Sequence, residues 1–310
     1  MPFTTRAASI SDAAELATLL THCRQRYLGR ESSLAEAIEH LSEPGTEPQL
    51  DAVAAVDASG AIVGFGRVWR AGEEIKCFAR VDPDATGRGI ATALLDALER
   101  RAAEIAPSAD ADLTLTQWAS DDAATALLRG RRFTESRFFL SMVADLTEPA
   151  PEAPPIAPGV TIRTLEHGDE EQLLAAFGEA FASHPGRVDE DPATWWQERR
   201  DNASAGFDPT LWLIAVEDET IVGFSLGREL VADGVRSGYV GDIGVRPPWQ
   251  GRGLGHALLA RSLAGFRSRG LASASLNVDA ENTSGALALY RKAGMEAKPA
   301  FTIWAKRIGA

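Results

Sequence analysis

Two glycine-rich turns divide the sequence, Thr86-Gly87-Arg88-Gly89-Ile90-Ala91 and Gln250-Gly251-Arg252-Gly253-Leu254-Gly255. Their surroundings repeat as well. Ile62-Val63-Gly64-Phe65 recurs as Ile221-Val222-Gly223-Phe224, and Arg6, Asp12 and Leu16 match Arg163, Asp169 and Leu173 at a constant offset of 157. A repeat of this length means a duplicated whole domain, because solenoid repeats run about 20–50 residues. Between the copies, Leu146–Val160 holds five of the sixteen prolines, a composition that favours an extended connector over helix or strand. The expected division is a first domain over 1–146, a linker over 147–160 and a second domain over 161–310, and 310 residues suffice for two cores.

In the second copy Leu211–Val216 and Ile221–Gly227 read as a hairpin, and Gly238–Val245 as the next strand. Gly253 to Arg269 reads as a helix, with Leu254, Leu258, Leu259, Leu263 and Phe266 on one face. Ala272–Val278 follows as a strand and Ser284–Ala293 as a helix that Asn282 or Thr283 can cap. The first copy repeats the scheme, with Ile90, Leu94, Leu95 and Leu98 on the face of its own helix. The pattern predicts an α/β fold built on mixed (α+β) sheets, used twice in tandem.

Gln250–Gly255 follows a strand and opens a helix. Its glycines let the backbone turn tightly and approach a ligand without a Cβ in the way. The first N–H groups of the helix lack intrahelical partners and lie at the positive end of its dipole, so they suit a pyrophosphate, and Arg252 adds a fixed charge. The glycine order is G-x-G-x-G, which fits the dinucleotide fingerprint poorly, and no Gly-Lys-Ser/Thr follows to make a P-loop.

The turn resembles the Q/R-x-x-G-x-G/A signature with which the GCN5-related N-acetyltransferase (GNAT) superfamily cradles the pyrophosphate of acetyl-CoA. Leu276-Asn277-Val278-Asp279-Ala280-Glu281-Asn282, followed by Ala286, Leu289-Tyr290 and Gly294-Met295, is similar to that family's last strand and helix. The resemblance covers nearly the whole chain as two tandem GNAT-like domains. It implies acetyl-CoA as co-substrate, no metal, and direct attack of a neutral amine on the acetyl thioester. Pantetheine is then expected to pair with backbone at Ile243, Gly244 and Val245, and the pyrophosphate to sit on Gln250, Gly251, Arg252, Gly253, Leu254 and Gly255. A backbone N–H in that strand would stabilise the oxyanion. The resemblance makes Asn282 a pantetheine contact; it is equally readable as the cap of the last helix, and both can hold together. Tyr290 is the expected general acid, set beside the CoA sulfur.

The base stays open. Several family members carry a Glu eleven residues before the signature Gln, where Tyr239 stands here, and the other frequent Glu is replaced by Asn277. Asp242, Tyr239 and His184 are the candidates, His184 being equally readable as a structural residue. In the first copy Gly87, Arg88 and Gly89 remain to contact a pyrophosphate, but Ser120 falls at the Asn282 position, Leu128 at Tyr290 and Arg132 at Gly294. That copy is expected to have lost catalysis.

The net charge is −13, −8 over residues 1–150 and −5 over 151–310. Such a surface repels phosphate backbones, which excludes nucleic acid as the expected partner and favours a cationic small-molecule amine. Asp189-Glu190-Asp191 near His184 points the same way. Cys23 and Cys77 make neither a disulfide framework nor a metal-ligand spacing, so a reducing cytoplasm is expected. No apolar leader and no run of about 20 apolar residues predicts a membrane association. Two other readings remain: acetylation of a cysteinyl amine, and a non-catalytic acyl-CoA-binding or regulatory protein.

Overall fold

The computed structural model describes residues 2–28, 34–42, 47–149, 155–156, 158–182, 191–200, 207–232, 235–282 and 285–309. The chain divides into two compact units, Met1–Phe139 with Pro299–Ala310, and Leu140–Lys298.

The first unit runs β1 (Phe3–Ala7), α1 (Ala13–Leu28), α2 (Leu34–Ser42), α3 (Pro48–Asp51), β2 (Ala52–Asp57), β3 (Ile62–Ala71), β4 (Glu74–Val81), α4 (Ile90–Ile105), β5 (Asp112–Trp118) and α5 (Asp122–Gly130). The strand β6 (Thr134–Asp145) then carries the chain into the second unit. That unit runs β7 (Val160–Thr164), α6 (Glu170–Ala180), α7 (Pro192–Arg200), β8 (Trp212–Glu217), β9 (Thr220–Ala232), β10 (Val235–Val245), α8 (Leu254–Ser268), β11 (Ser273–Asp279) and α9 (Ala286–Lys292). The last strand, β12 (Glu296–Arg307), ends the chain.

Strand order is β1-β2-β3-β4-β5-β12 in the first unit and β6-β11-β10-β9-β8-β7 in the second. Neighbours run antiparallel at β1–β2, β2–β3 and β3–β4 and again at β7–β8, β8–β9 and β9–β10, whereas β4–β5 and β10–β11 are parallel. The sheets are therefore mixed, as expected. The helical faces read from sequence are those that pack: Ile90, Leu94, Leu95 and Leu98 are buried on α4, and Leu254, Leu258, Leu259, Leu263 and Phe266 on α8. The repeated Arg and Asp make one bond pattern twice. Arg6 donates to Asp12 at 2.8 and 2.7 Å, Arg163 donates to Asp169 at 2.6 and 2.8 Å, and each carboxylate also accepts a backbone N–H three residues earlier at 2.8 Å.

The units do not break at the proline-rich stretch. Phe301–Arg307 of β12 pairs antiparallel with Asp112–Trp118, and Trp304, 1% exposed, donates from Nε1 to Gln117 Oε1 at 3.0 Å. Burying that indole fixes the chain's last strand in the first unit's core, although its sequence follows the second copy. Among the described residues no helix is long and apolar enough to cross a membrane.

Candidate active site

In the second unit the parallel ladder between β10 and β11 consists of Gly238↔Ala274 and Tyr239↔Ser275. Beyond it, the β9–β10 register shifts between Val240 and Asp242 and leaves Gly241 as an extra residue. A bulge holds its extra residue outside the ladder and bends the strand, so Asp242–Val245 parts from Leu276–Asp279. Ile243, Gly244 and Val245 stay paired with Ser225, Phe224 and Gly223 on one edge and turn the other edge to the slot. Such an edge suits an extended, amide-bearing arm. A Cβ at Gly244 would lie 2.6 Å from Phe224 Cζ and 2.9 Å from Ala180 Cβ, which requires glycine there.

The slot leads to the glycine turn. Gly251 and Gly253 hold φ of 77° and 82°, and Gly253 is the N-cap of α8. Among the described residues, chain neighbours aside, no atom lies within 4 Å of a Cβ built at either position, so the approach to the helix's free N–H groups is open. Gln250 Nε2 donates to Val245 O at 2.9 Å and ties the turn to the slot's edge. Arg252 makes long contacts to Glu217 Oε1 (3.5 Å) and Pro248 O (3.4 Å). An exposed pair of this kind contributes about 0–1 kcal/mol, too little to withhold the guanidinium from a diphosphate.

Tyr290 on α9 is 7% exposed and belongs to the same buried cluster as Val278, Ala293 and Met295. Burial pushes its phenol up to about 12. The helix starts later than predicted: Gly285, at φ 79°, is its N-cap, so Asn282 is not. Asn282 instead donates its N–H to Asp279 O at 3.1 Å, while Thr283 and Ser284 lie outside the described residues.

Of the three candidate bases, Asp242 and Tyr239 flank the bulge. Asp242 is half-buried, with Oδ2 3.6 Å from Arg199 Nε. The Arg199 guanidinium also lies 4.3 Å from the Trp195 ring centre and 5.0 Å from that of Phe177. Tyr239 has the Arg228 guanidinium 4.7 Å above its ring. His184, with Asp189 and Glu190, falls outside the described residues. Gly241 and Arg199 escaped the sequence reading. A glycine inside a strand pattern is the recognised sign of a bulge and signals the first, whereas no local pattern marks the second. A separate cavity of about 880 Å³, lined among others by His256, Arg267, Ala293 and Lys298, contains none of the expected residues.

Residues 172–295 match the acetyltransferase (GNAT) family, and residues 50–129 match a GNAT acetyltransferase domain. A mycothiol acetyltransferase of Stackebrandtia nassauensis is 32% identical over 96% of this chain and 93% of its own length. The chain belongs to the GNAT acetyltransferase family. A mycothiol acetyltransferase of Thermobispora bispora is 37% identical, over 60% of this chain and 62% of that protein. Among solved structures, a GCN5-related N-acetyltransferase from Sphaerobacter thermophilus is 32% identical, with a TM-score of 0.76 over 99% of this chain and 96% of that one. A tandem GNAT protein from the clavulanic acid biosynthesis pathway, 17% identical, shares the fold with a TM-score of 0.80 over 100% and 99% of the two chains.

The first GNAT copy differs from the second at each of these points except the turn. Gly89, φ 82°, is again the N-cap of its helix, but Arg88 donates to Asp84 O at 2.8 Å. β3 and β4 pair without a register shift from Gly64↔Val81 to Ala71↔Glu74, and the β4–β5 ladder runs one pair further, to Cys77↔Leu115. Leu128 occupies the place of Tyr290. Its carbonyl accepts from Phe133 at 3.0 Å as that of Tyr290 accepts from Met295 at 3.0 Å, and Arg132 (φ 66°) stands where Gly294 (φ 83°) does. Among the described residues, the side chains close enough to share a metal ion are His22, Asp82 and Asp84 of this unit, with ligand atoms within 4.8 Å of one another.

Proposed function

We propose that the chain transfers an acetyl group from acetyl-CoA to a small, cationic amine, in the Leu140–Lys298 unit. The reading rests on one contrast. Where backbone turn and hydrogen bonds coincide, the second unit carries a buried phenol, Tyr290, and the first carries Leu128. In this reading Ile243–Val245 pair with the pantetheine, Asn282 meets the same arm, and Gln250–Gly255 hold the pyrophosphate. The amine nitrogen attacks the thioester carbon, and a backbone N–H in the bulged part of β10 meets the oxyanion. The C–S bond then breaks, and the thiolate takes the Tyr290 proton. The amine's proton passes to Asp242, directly or through water, with Tyr239 and His184 as the alternatives.

A phenol near 12 donates to this thiolate because burial acts on both. In the same chain, burial pushes the Cys23 and Cys77 thiols up to about 12. A CoA thiolate formed where water is excluded is disfavoured in the same direction, which eases its protonation by the phenol.

The test is CoA release across a panel of amines. Turnover that survives Gly89→Glu and vanishes with Gly253→Glu supports the second unit, and the reverse pattern overturns it. No release with any amine, despite tight acetyl-CoA binding, supports a non-catalytic acyl-CoA-binding protein instead. The relatives' name favours one second reading of the acceptor, a cysteinyl amine as for mycothiol synthase, although Tyr239 stands where a Glu is expected for that enzyme. A kcat/KM for a cysteinyl-amine acceptor at least a hundredfold above those of simple polyamines would select it.

A further inference from the structure

The slot in the first unit is filled by the protein itself. Register places Arg80 opposite Phe65 and Val81 opposite Gly64, just as Gly244 lies opposite Phe224 and Val245 opposite Gly223. Arg80 therefore stands at the position of Gly244. Past Cys77↔Leu115 the strands β4 and β5 part, and Arg80 spans the gap: its Nη1 donates to Ala79 O on β4 at 2.7 Å and to Thr116 O on β5 at 3.3 Å. One nitrogen reaching both carbonyls places them on the two lips of the gap. The guanidinium is also covered by aromatic faces, 4.4 Å from the ring centre of Phe78 and 4.2 Å from that of Trp118.

We propose that Arg80 is a built-in plug that takes the place of pantetheine in the first unit, so that each chain holds a single acyl-CoA. An amide-bearing arm enters such a slot by pairing with the strand edges. Here the Arg80 guanidinium already bonds a carbonyl on each edge. The surviving turn at Gly87-Arg88-Gly89 offers its N–H groups to a diphosphate whose arm has no path inward. The proposal rests on the reading that the second unit holds acetyl-CoA, and the two fail in different ways.

Acetyl-CoA titrated into the purified full chain, by calorimetry and by native mass spectrometry, gives the stoichiometry. The expected values are one for the wild type, none for Gly253→Glu, two for Arg80→Gly and one for Arg80→Gly/Gly253→Glu, with Gly89→Glu removing the site that Arg80→Gly opens. Two sites in the wild type, or a single site in a folded Arg80→Gly or Arg80→Ser chain, overturn the plug. One site in Gly253→Glu shows that the first unit binds CoA and overturns both readings. Loss of the site in Gly253→Glu together with its gain in Arg80→Gly, but no turnover with any amine, sustains the plug and removes only the enzymatic reading. Two sites in the wild type overturn the plug even where a variant fails to fold, and Arg80→Ser stands in for Arg80→Gly if the latter does.

Discussion

Arg199 Nε stands 3.6 Å from Asp242 Oδ2, an ion pair joining α7 to the strand just past the β10 bulge. The pair holds a carboxylate beside the bulged stretch of β10, where an acceptor for the amine's proton is needed. Asp242→Asn removes the acceptor while keeping its size. The expected result is a fall in kcat of about 10²–10⁴-fold, with acetyl-CoA affinity unchanged. A loss below tenfold moves the base to Tyr239 or to His184, whose variants are then measured in the same assay.

Tyr290→Phe deletes a hydroxyl without emptying the core around Val278 and Met295, so its effect reports chemistry. Turnover is expected to fall about 10²–10⁴-fold with acetyl-CoA, and less with an acetyl thioester whose thiol is more acidic, because such a thiolate leaves without a proton. The pH dependence follows from burial. With its phenol raised to about 12, Tyr290 stays protonated past pH 10, so the wild type loses no activity through this group until the pH nears 12. An alkaline limb centred on pH 10 that vanishes in Tyr290→Phe would show an unperturbed phenol and defeat the raised pKa, while a limb unchanged in Tyr290→Phe belongs to another group.

The duplicated halves, the glycine turn and the faces of α4 and α8 were legible because each is written in local sequence. Glycine pairs mark the turn, and apolar residues at helical spacing mark the buried stripe. The rest depends on partners distant in the chain. Gly241 becomes a bulge only through its register with β9, and Arg199 meets Asp242 only after α7 has packed. Trp304 belongs to an alternating strand that fits either unit's sheet, and its burial beside Gln117 decides which. Asn282 suited a helix cap by composition, yet the left-handed Gly285 takes that place nearer the helix. Arg80 read as one more arginine, since nothing local distinguishes a plug from a surface charge.

Arg252 is the side chain best placed to follow the pyrophosphate, because its present contacts to Glu217 and Pro248 are long. Arg252→Ala is expected to raise the acetyl-CoA KM about tenfold, the equivalent of about 1.4 kcal/mol, and to leave kcat within about twofold. The wild type should lose affinity with added salt more steeply than the variant, since charge is what differs. Arg88→Ala, the same change in the first unit, is expected to alter neither constant. An equal effect of the two substitutions would mean that both turns bind the cofactor.

The pairs Arg6–Asp12 and Arg163–Asp169 make acid stability a property of both units. The guanidinium hydrogen bond holds each carboxyl below the usual carboxylate range, outweighing the cost of burial. A depressed native pKa stabilises the fold at pH values above the unfolded one, about 3.9, and that contribution disappears as the pH falls through the native value. Asp12→Asn and Asp169→Asn are each expected to cost about 1.5–3 kcal/mol near neutral pH, the range for a hydrogen bond to a charged group. As the pH falls through the depressed native value, the melting temperatures of the variants should converge on that of the wild type, because the wild type then loses the same charge. Calorimetric melting temperatures from pH 7 to pH 2 check this. A gap between wild type and variant that stays constant across the series would mean that shape rather than charge accounts for the loss.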